Sequence, residues 1–134
     1  TLRHSSAASD VYKRQIVAYS NMVNVAKEAL AAEELQNCSI ELIDLQTVSP
    51  IDYDTIKNSL KKTKRILVCQ EAPSNSSVGT TVISKIVESE LFHELEVAPK
   101  LVSGLHSPMP SAKHLELNVI PQAEDITNAV KSML

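Results

Sequence analysis

The chain has 134 residues, a formal net charge of −3, 43% apolar residues and only 3% aromatic ones. That length allows one domain with a real core, and the scarcity of rings and the scattered lysines and arginines argue against nucleic acid as a partner. No run approaches the roughly 18 apolar residues of a membrane-spanning helix, so a membrane is not expected as a partner either.

In chain order, Ser5-Ser6-Ala7-Ala8-Ser9-Asp10-Val11-Tyr12-Lys13-Arg14-Gln15 reads codon for codon as a translated sequencing adapter. Residues 1–15 are therefore expected to be a non-native, disordered leader, with the native domain running over 16–134. The leader carries Arg3, Lys13 and Arg14 against Asp10, a net +2, which leaves −5 on the remaining 119 residues.

Ile16-Val17-Ala18-Tyr19 predicts a buried strand that hands over at Ser20-Asn21 to an amphipathic helix running from Met22 to about Leu35, with Met22, Val23, Ala26, Ala29, Leu30 and Leu35 on one stripe. Residues 40–45 predict a second strand, and Pro50-Ile51-Asp52 a stop followed by an Asp cap for a helix carrying Tyr53, Ile56 and Leu60. A third strand over 66–69 ends at Gln70-Glu71-Ala72-Pro73; a Ser/Asn-rich loop and a helix with Val82, Ile83, Ile86 and Val87 follow. Leu101-Val102 marks a fourth strand, 104–110 a Pro-punctuated loop, and 124–133 a last helix. Near-continuous apolar strands alternating with amphipathic helices predict an α/β domain, three layers (αβα) around a mostly parallel sheet. Its candidate functional loops are Ser20-Asn21, 44–47 and 71–79, because ligands of such sheets gather at the carboxyl ends of the strands.

The residues offer little established chemistry. Gly79 and Gly104 are the only glycines, so no Gly-rich phosphate loop exists. His93, His106 and His114 lack metal-ligand spacing, no G-x-S-x-G elbow supports a hydrolase, and Cys38 and Cys69 read as small buried hydrophobes. No catalytic, cofactor-binding or metal-binding residue is assigned. Glu71, at the end of a strand, is the ionisable residue best placed to face a ligand or partner, or else to fix a turn. Lys57, Lys61, Lys62, Lys64 and Arg65 read as a solvated helix end, and Glu88, Glu90, Glu94 and Glu96 as a solvated face.

In register, three segments carry a family pattern: residues 40–56, with Asp44-Leu45-Gln46-Thr47 and Pro50-Ile51-Asp52; residues 59–65; and residues 107–121, with Pro108-Met109-Pro110, Leu115-Glu116 and Ile120-Pro121. On these, 16–134 resembles the C-terminal, transketolase-like domain of the beta subunit of thiamine-diphosphate-dependent 2-oxo acid dehydrogenases of the pyruvate type. It departs from that pattern where Ser20, Ser76 and Ser77 stand at usual glycine positions and His106 at a usual Asp.

The resemblance implies a fragment that is inactive alone: thiamine diphosphate, magnesium and the catalytic residues would belong to the preceding domain and the alpha subunit. It implies assembly with the alpha subunit and a second beta subunit, and docking to the acyltransferase core. Glu71, Glu94, Glu96 and Leu134 are the candidate interface or docking residues. A bacterial cytoplasm, a mitochondrial matrix or a plastid would be its compartment. The same fold would also suit the C-terminal domain of a transketolase or deoxyxylulose-phosphate synthase, or a free-standing small-ligand or regulatory α/β module behaving as a monomer.

Overall fold

The computed structural model describes residues 2–4, 13–106, 115 and 119–133, with 2–4 and 13 described by their backbone alone. Strands β1 (Leu2–His4), β2 (Lys13–Ala18), β3 (Ser39–Asp44), β4 (Ile66–Pro73) and β5 (Lys100–Gly104) alternate, from β2 onward, with helices α1 (Met22–Leu30), α2 (Tyr53–Thr63), α3 (Val78–Val87) and α4 (Ala123–Ser132). They form one sheet in the order β1-β3-β2-β4-β5. The last four strands in that order pair in parallel, and β1 lies antiparallel on β3.

Period-two alternation along the strands divides the interior. Ile16, Ala18, Ile40, Leu42, Leu67 and Cys69 face one layer, where α1 and α4 bring Met22, Ala26, Ile126 and Val130. Val17, Ile43, Ile66 and Val68 face the other, against Ile56 and Leu60 of α2 and Val82 and Ile86 of α3. This is the expected αβα arrangement, with the central strands β2, β3 and β4 buried on both faces.

Several boundaries differ from the sequence expectation. Strand β2 begins at Lys13 rather than Ile16: Lys13 pairs with Ser39, Arg14 with Ile40 and Gln15 with Glu41, and Arg14 and Gln15 are buried. Leu2–His4 is also in the sheet, so disorder does not describe 2–4 or 13–15, because backbone pairing is indifferent to the side chains it carries. Residues 5–12 lie outside the described ones. Helix α1 stops at Leu30, before a 3-10 turn at Glu33–Leu35. Gln36 supplies the stop: its Nε2 lies 3.3–3.5 Å from the carbonyl oxygens of Leu30, Ala31 and Ala32, donating to groups a helix end leaves open. The third predicted strand runs on through Glu71 to Pro73, with a register shift against β5 between Cys69 and Pro73.

Candidate functional site

The parallel strands place Ser20-Asn21, the loop after β3 and the loop after β4 at one edge of the sheet, as expected. Chain connectivity steps from β2 to β3 on one side and returns past β2 to β4 on the other. The crevice between the ends of β2 and β4 is therefore the topological switch point, where open α/β sheets most often bind.

Gln70 organises that crevice. It is fully buried, and each side-chain polar atom is used twice. Oε1 accepts from Gly79 N at 2.7 Å and, at a long 3.4 Å, from the Tyr19 hydroxyl. Nε2 donates to the carbonyl oxygens of Ala72 and Pro73, each at 3.1 Å. A buried amide with all four valences met fixes whatever it touches. Here it touches the end of β2, the continuation of β4 and the start of α3.

Both glycines of the chain pack on this same turn. A Cβ on Gly79 would meet Gln70 Oε1 at 2.5 Å and Leu101 Cδ1 at 2.6 Å, and one on Gly104 would run into the backbone carbonyl oxygen of Glu71. Their role is close approach, since neither has a positive φ. Ser20 (φ 57°) and Ser76 (φ 46°) are the residues here in the left-handed region, which disfavours any residue with a Cβ. Ser77 differs: its φ is −108°, and it caps α3 through a reciprocal pair in which Ser77 Oγ accepts from Thr80 N and Thr80 Oγ1 accepts from Ser77 N. Of the three serines at usual glycine positions, two are strained by the exchange and one is put to use. His106 is exposed.

Glu71 is half-buried on the extended part of β4, with no ion pair to it among the described residues. Burial, and then the neighbouring Glu71 charge, raise the Tyr19 phenol above its ordinary value. Beyond β3 the same edge holds a groove of about 490 Å³, lined in part by Lys27, Asp44, Thr47 and Asp52. Asp52 caps α2 as its spacing predicts, accepting from Thr55 N at 3.1 Å and Thr55 Oγ1 at 2.6 Å, and those bonds hold its carboxyl below the ordinary range.

The remaining candidates lie elsewhere. Glu96 accepts from Arg65 at 2.6 Å, and its N–H donates to the Lys64 carbonyl oxygen at 3.0 Å, which pins it to the amino end of β4. Glu94, exposed at the end of the 3-10 turn Glu90–Glu94, lies just before it in the chain. Glu71 sits near the opposite end of β4, six residues beyond Arg65, or about 20 Å at roughly 3.3 Å per residue. The structure thus separates Glu71 from Glu94 and Glu96 into two areas. Leu134 and His114 lie outside the described residues, as does most of 107–121.

Among the described residues no group of three or more His, Cys, Asp or Glu could hold a metal ion. Cys38 and Cys69 are free and buried, as their setting predicts, and burial pushes the Cys69 thiol up to about 12. No described helix is long and apolar enough to cross a membrane. Gln70 was the residue that sequence reasoning missed: a buried amide leaves no periodic signal. The two glycines brought to it are the trace it leaves in the sequence.

Comparison with known proteins gives consistent results. The model of the family described as transketolase, C-terminal domain, matches residues 7–126. The chain is 39% identical over 118 residues to the pyruvate dehydrogenase E1 component subunit beta of Rickettsia bellii (strain RML369-C), covering 88% of this chain and 36% of that protein. It is 35% identical over 116 residues to the mitochondrial pyruvate dehydrogenase E1 component subunit beta of Pisum sativum, covering 87% of this chain and 32% of that one. The chain thus spans about a third of the length of these relatives. Among solved structures, a split-gene transketolase described as an inactive beta4 tetramer superposes with a TM-score of 0.72 at 22% identity, over 92% of this chain and 39% of that one; at that identity it speaks for the fold alone.

Proposed function

Because the chain belongs to the transketolase C-terminal domain family, we propose that it serves as the subunit-assembly and partner-docking domain of a 2-oxo acid dehydrogenase beta subunit. The parent enzyme would decarboxylate a 2-oxo acid oxidatively and transfer the acyl group to lipoamide, using thiamine diphosphate and magnesium held outside this domain. What carries the reading is the alignment of 88% of the chain, at 39% identity, with a pyruvate dehydrogenase E1 beta subunit.

Two surfaces would divide the work. At the carboxyl edge, the half-buried Glu71 carboxylate in its tightly packed turn would meet the alpha subunit or a second beta subunit. At the amino end of β4, exposed Glu94 would meet basic groups of the acyltransferase core, with Leu134 as a further contact. Glu96 is the weaker candidate, since Arg65 already neutralises it. Residues 5–15 would be the translated adapter, a leader whose last residues have entered β2. Bacterial and mitochondrial relatives fit a cytoplasmic or mitochondrial-matrix parent, and a plastid remains a third compartment for it.

The test uses the full chain and the purified acyltransferase component of a bacterial pyruvate dehydrogenase complex. Glu94→Lys should weaken association severalfold at low salt and flatten its salt dependence. Association that is equally tight and equally salt-sensitive in Glu94→Lys removes the docking role. Glu96→Lys is the poorer probe because it also breaks the Arg65 contact.

A further inference from the structure

We infer that Gln70 is the positioning residue of the switch-point crevice: its amide sets where Tyr19 and Glu71 stand relative to each other, so any contact made through Glu71 depends on Gln70. This rests on the proposed subunit contact for its biological use, although the positioning itself does not need that contact.

Three independent elements converge on one side chain. Tyr19 follows β2, Gly79 opens α3, and Ala72 and Pro73 close β4; Gln70 bonds to all of them. The turn offers little apolar anchorage, since residues 72–77 are Ala-Pro-Ser-Asn-Ser-Ser, of which 72, 74, 75 and 76 are exposed and Pro73 only half-buried. Packing elsewhere is arranged to admit the amide. Gly79 leaves the space that Oε1 occupies, and Gly104 lets β5 approach the Glu71 carbonyl oxygen. Strain is accepted next to it at Ser76. A turn with so little apolar anchorage, and with unfavourable backbone at one residue, keeps a single conformation only if something else over-determines it. The four hydrogen bonds of Gln70 supply most of that, beside the Ser77 hydroxyl bond to Ser74 O and the pairing of Pro73 with Gly104.

The consequence is measurable without any partner. Glu71 follows Gln70 on β4, Gln70 Oε1 accepts from the Tyr19 hydroxyl, and the Glu71 charge acts on Tyr19. In a Tyr12→Phe, Tyr53→Phe background, Tyr19 is the only tyrosine, and its titration can be followed by phenolate absorbance. Glu71→Gln should shift that titration downward, toward the ordinary value, because it removes the negative charge that opposes ionisation. In Gln70→Met, which keeps length and apolar bulk but no donors or acceptors, the same Glu71→Gln change should shift Tyr19 much less. An equal downward shift with and without Gln70→Met overturns the inference.

If Gln70→Met does not fold, Gln70→Glu serves in its place. A carboxylate there faces the Ala72 and Pro73 carbonyl oxygens without a proton to offer. Amide exchange over 72–79 should then be faster than in the unaltered chain at neutral pH and slow again as the carboxyl protonates. Exchange that matches the unaltered chain throughout, or that quickens equally in β3 and α1, reduces Gln70 to ordinary core packing and sinks the proposal. The subunit-contact reading fails separately: Glu71→Lys leaving association with an alpha subunit unchanged would end that reading, with the Tyr19 cycle still intact.

Discussion

The two edges of the sheet are built to different standards. At the carboxyl edge every side-chain polar atom of Gln70 is met, both glycines are placed for close approach, and α3 starts at a reciprocal cap. At the amino edge, where β2 enters beside the end of α2, Gln15 donates to the Ile56 carbonyl oxygen at 2.8 Å, but Gln15 Oε1, Ser59 Oγ, Thr63 Oγ1 and Arg65 Nε are buried with no hydrogen-bond partner among the described residues. A buried polar atom without a partner costs on the order of 1–3 kcal/mol. The difference locates specification: polar groups at the carboxyl edge fix a geometry, whereas several at the amino edge are only tolerated. It also coincides with the start of β2, since Arg14 and Gln15 occupy buried strand positions there.

The largest break in that contrast should come from Gly104→Ala. Its Cβ would meet the Glu71 carbonyl oxygen, with Val119 O at 3.3 Å on another side. Backbone cannot step aside as a side-chain tip can, so the end of β5 must leave β4. A loss of about 3 kcal/mol is expected, at the upper end of overpacking effects, read as a lowered denaturant midpoint with the slope unchanged. Stability within about 0.5 kcal/mol of the unaltered chain would show that the close approach is not needed.

Ser20→Gly and Ser76→Gly should move stability the other way. Each relieves a left-handed residue worth roughly 1–2 kcal/mol of strain and gives part of it back through the freer unfolded glycine, leaving a gain of about 0.5–1 kcal/mol. Thermal unfolding of the single and double variants measures it. No gain in either would mean that the serine hydroxyls compensate through contacts of their own.

How much of this was legible depended on which force wrote it. Apolar periodicity placed α2, α3, α4 and the centres of β2, β3, β4 and β5, because burial of Ile16, Val17, Ile56, Val82 and Ile126 leaves a direct mark on residue type. Local capping was equally readable: Asp52 after Pro50-Ile51 predicted the start of α2, where it accepts from Thr55 N. Long-range polar accounting was not. The extension of β4 through Glu71 depends on Gln70 reaching Gly79, nine residues on, and on pairing with Gly104, and no local rule links those positions. The early stop of α1 was hidden for the same reason: Leu35 continues the apolar stripe, while Gln36 turns back on the helix end. Glutamate spacing likewise joined Glu94 and Glu96 on one presumed face, where Arg65 in fact claims the second.

One substitution made at both edges sharpens the comparison most finely. Ser77→Ala removes the hydroxyl that accepts from Thr80 N and donates toward Ser74 O, and loss of such a cap costs about 1 kcal/mol. Ser59→Ala removes a hydroxyl on a residue that is also buried, 3% exposed, but serves no partner among the described residues. Alanine there removes an unmet polar atom and is also the better helix former within α2, so stability should rise by about 0.5 kcal/mol. The chemical change is identical; what differs is the surrounding hydrogen-bond accounting and the position, a cap at Ser77 and a helix interior at Ser59. Opposite signs in parallel urea titrations are the expected result. A loss at both positions would mean that Ser59 is satisfied in solution, and the amino edge would then be as fully specified as the carboxyl edge.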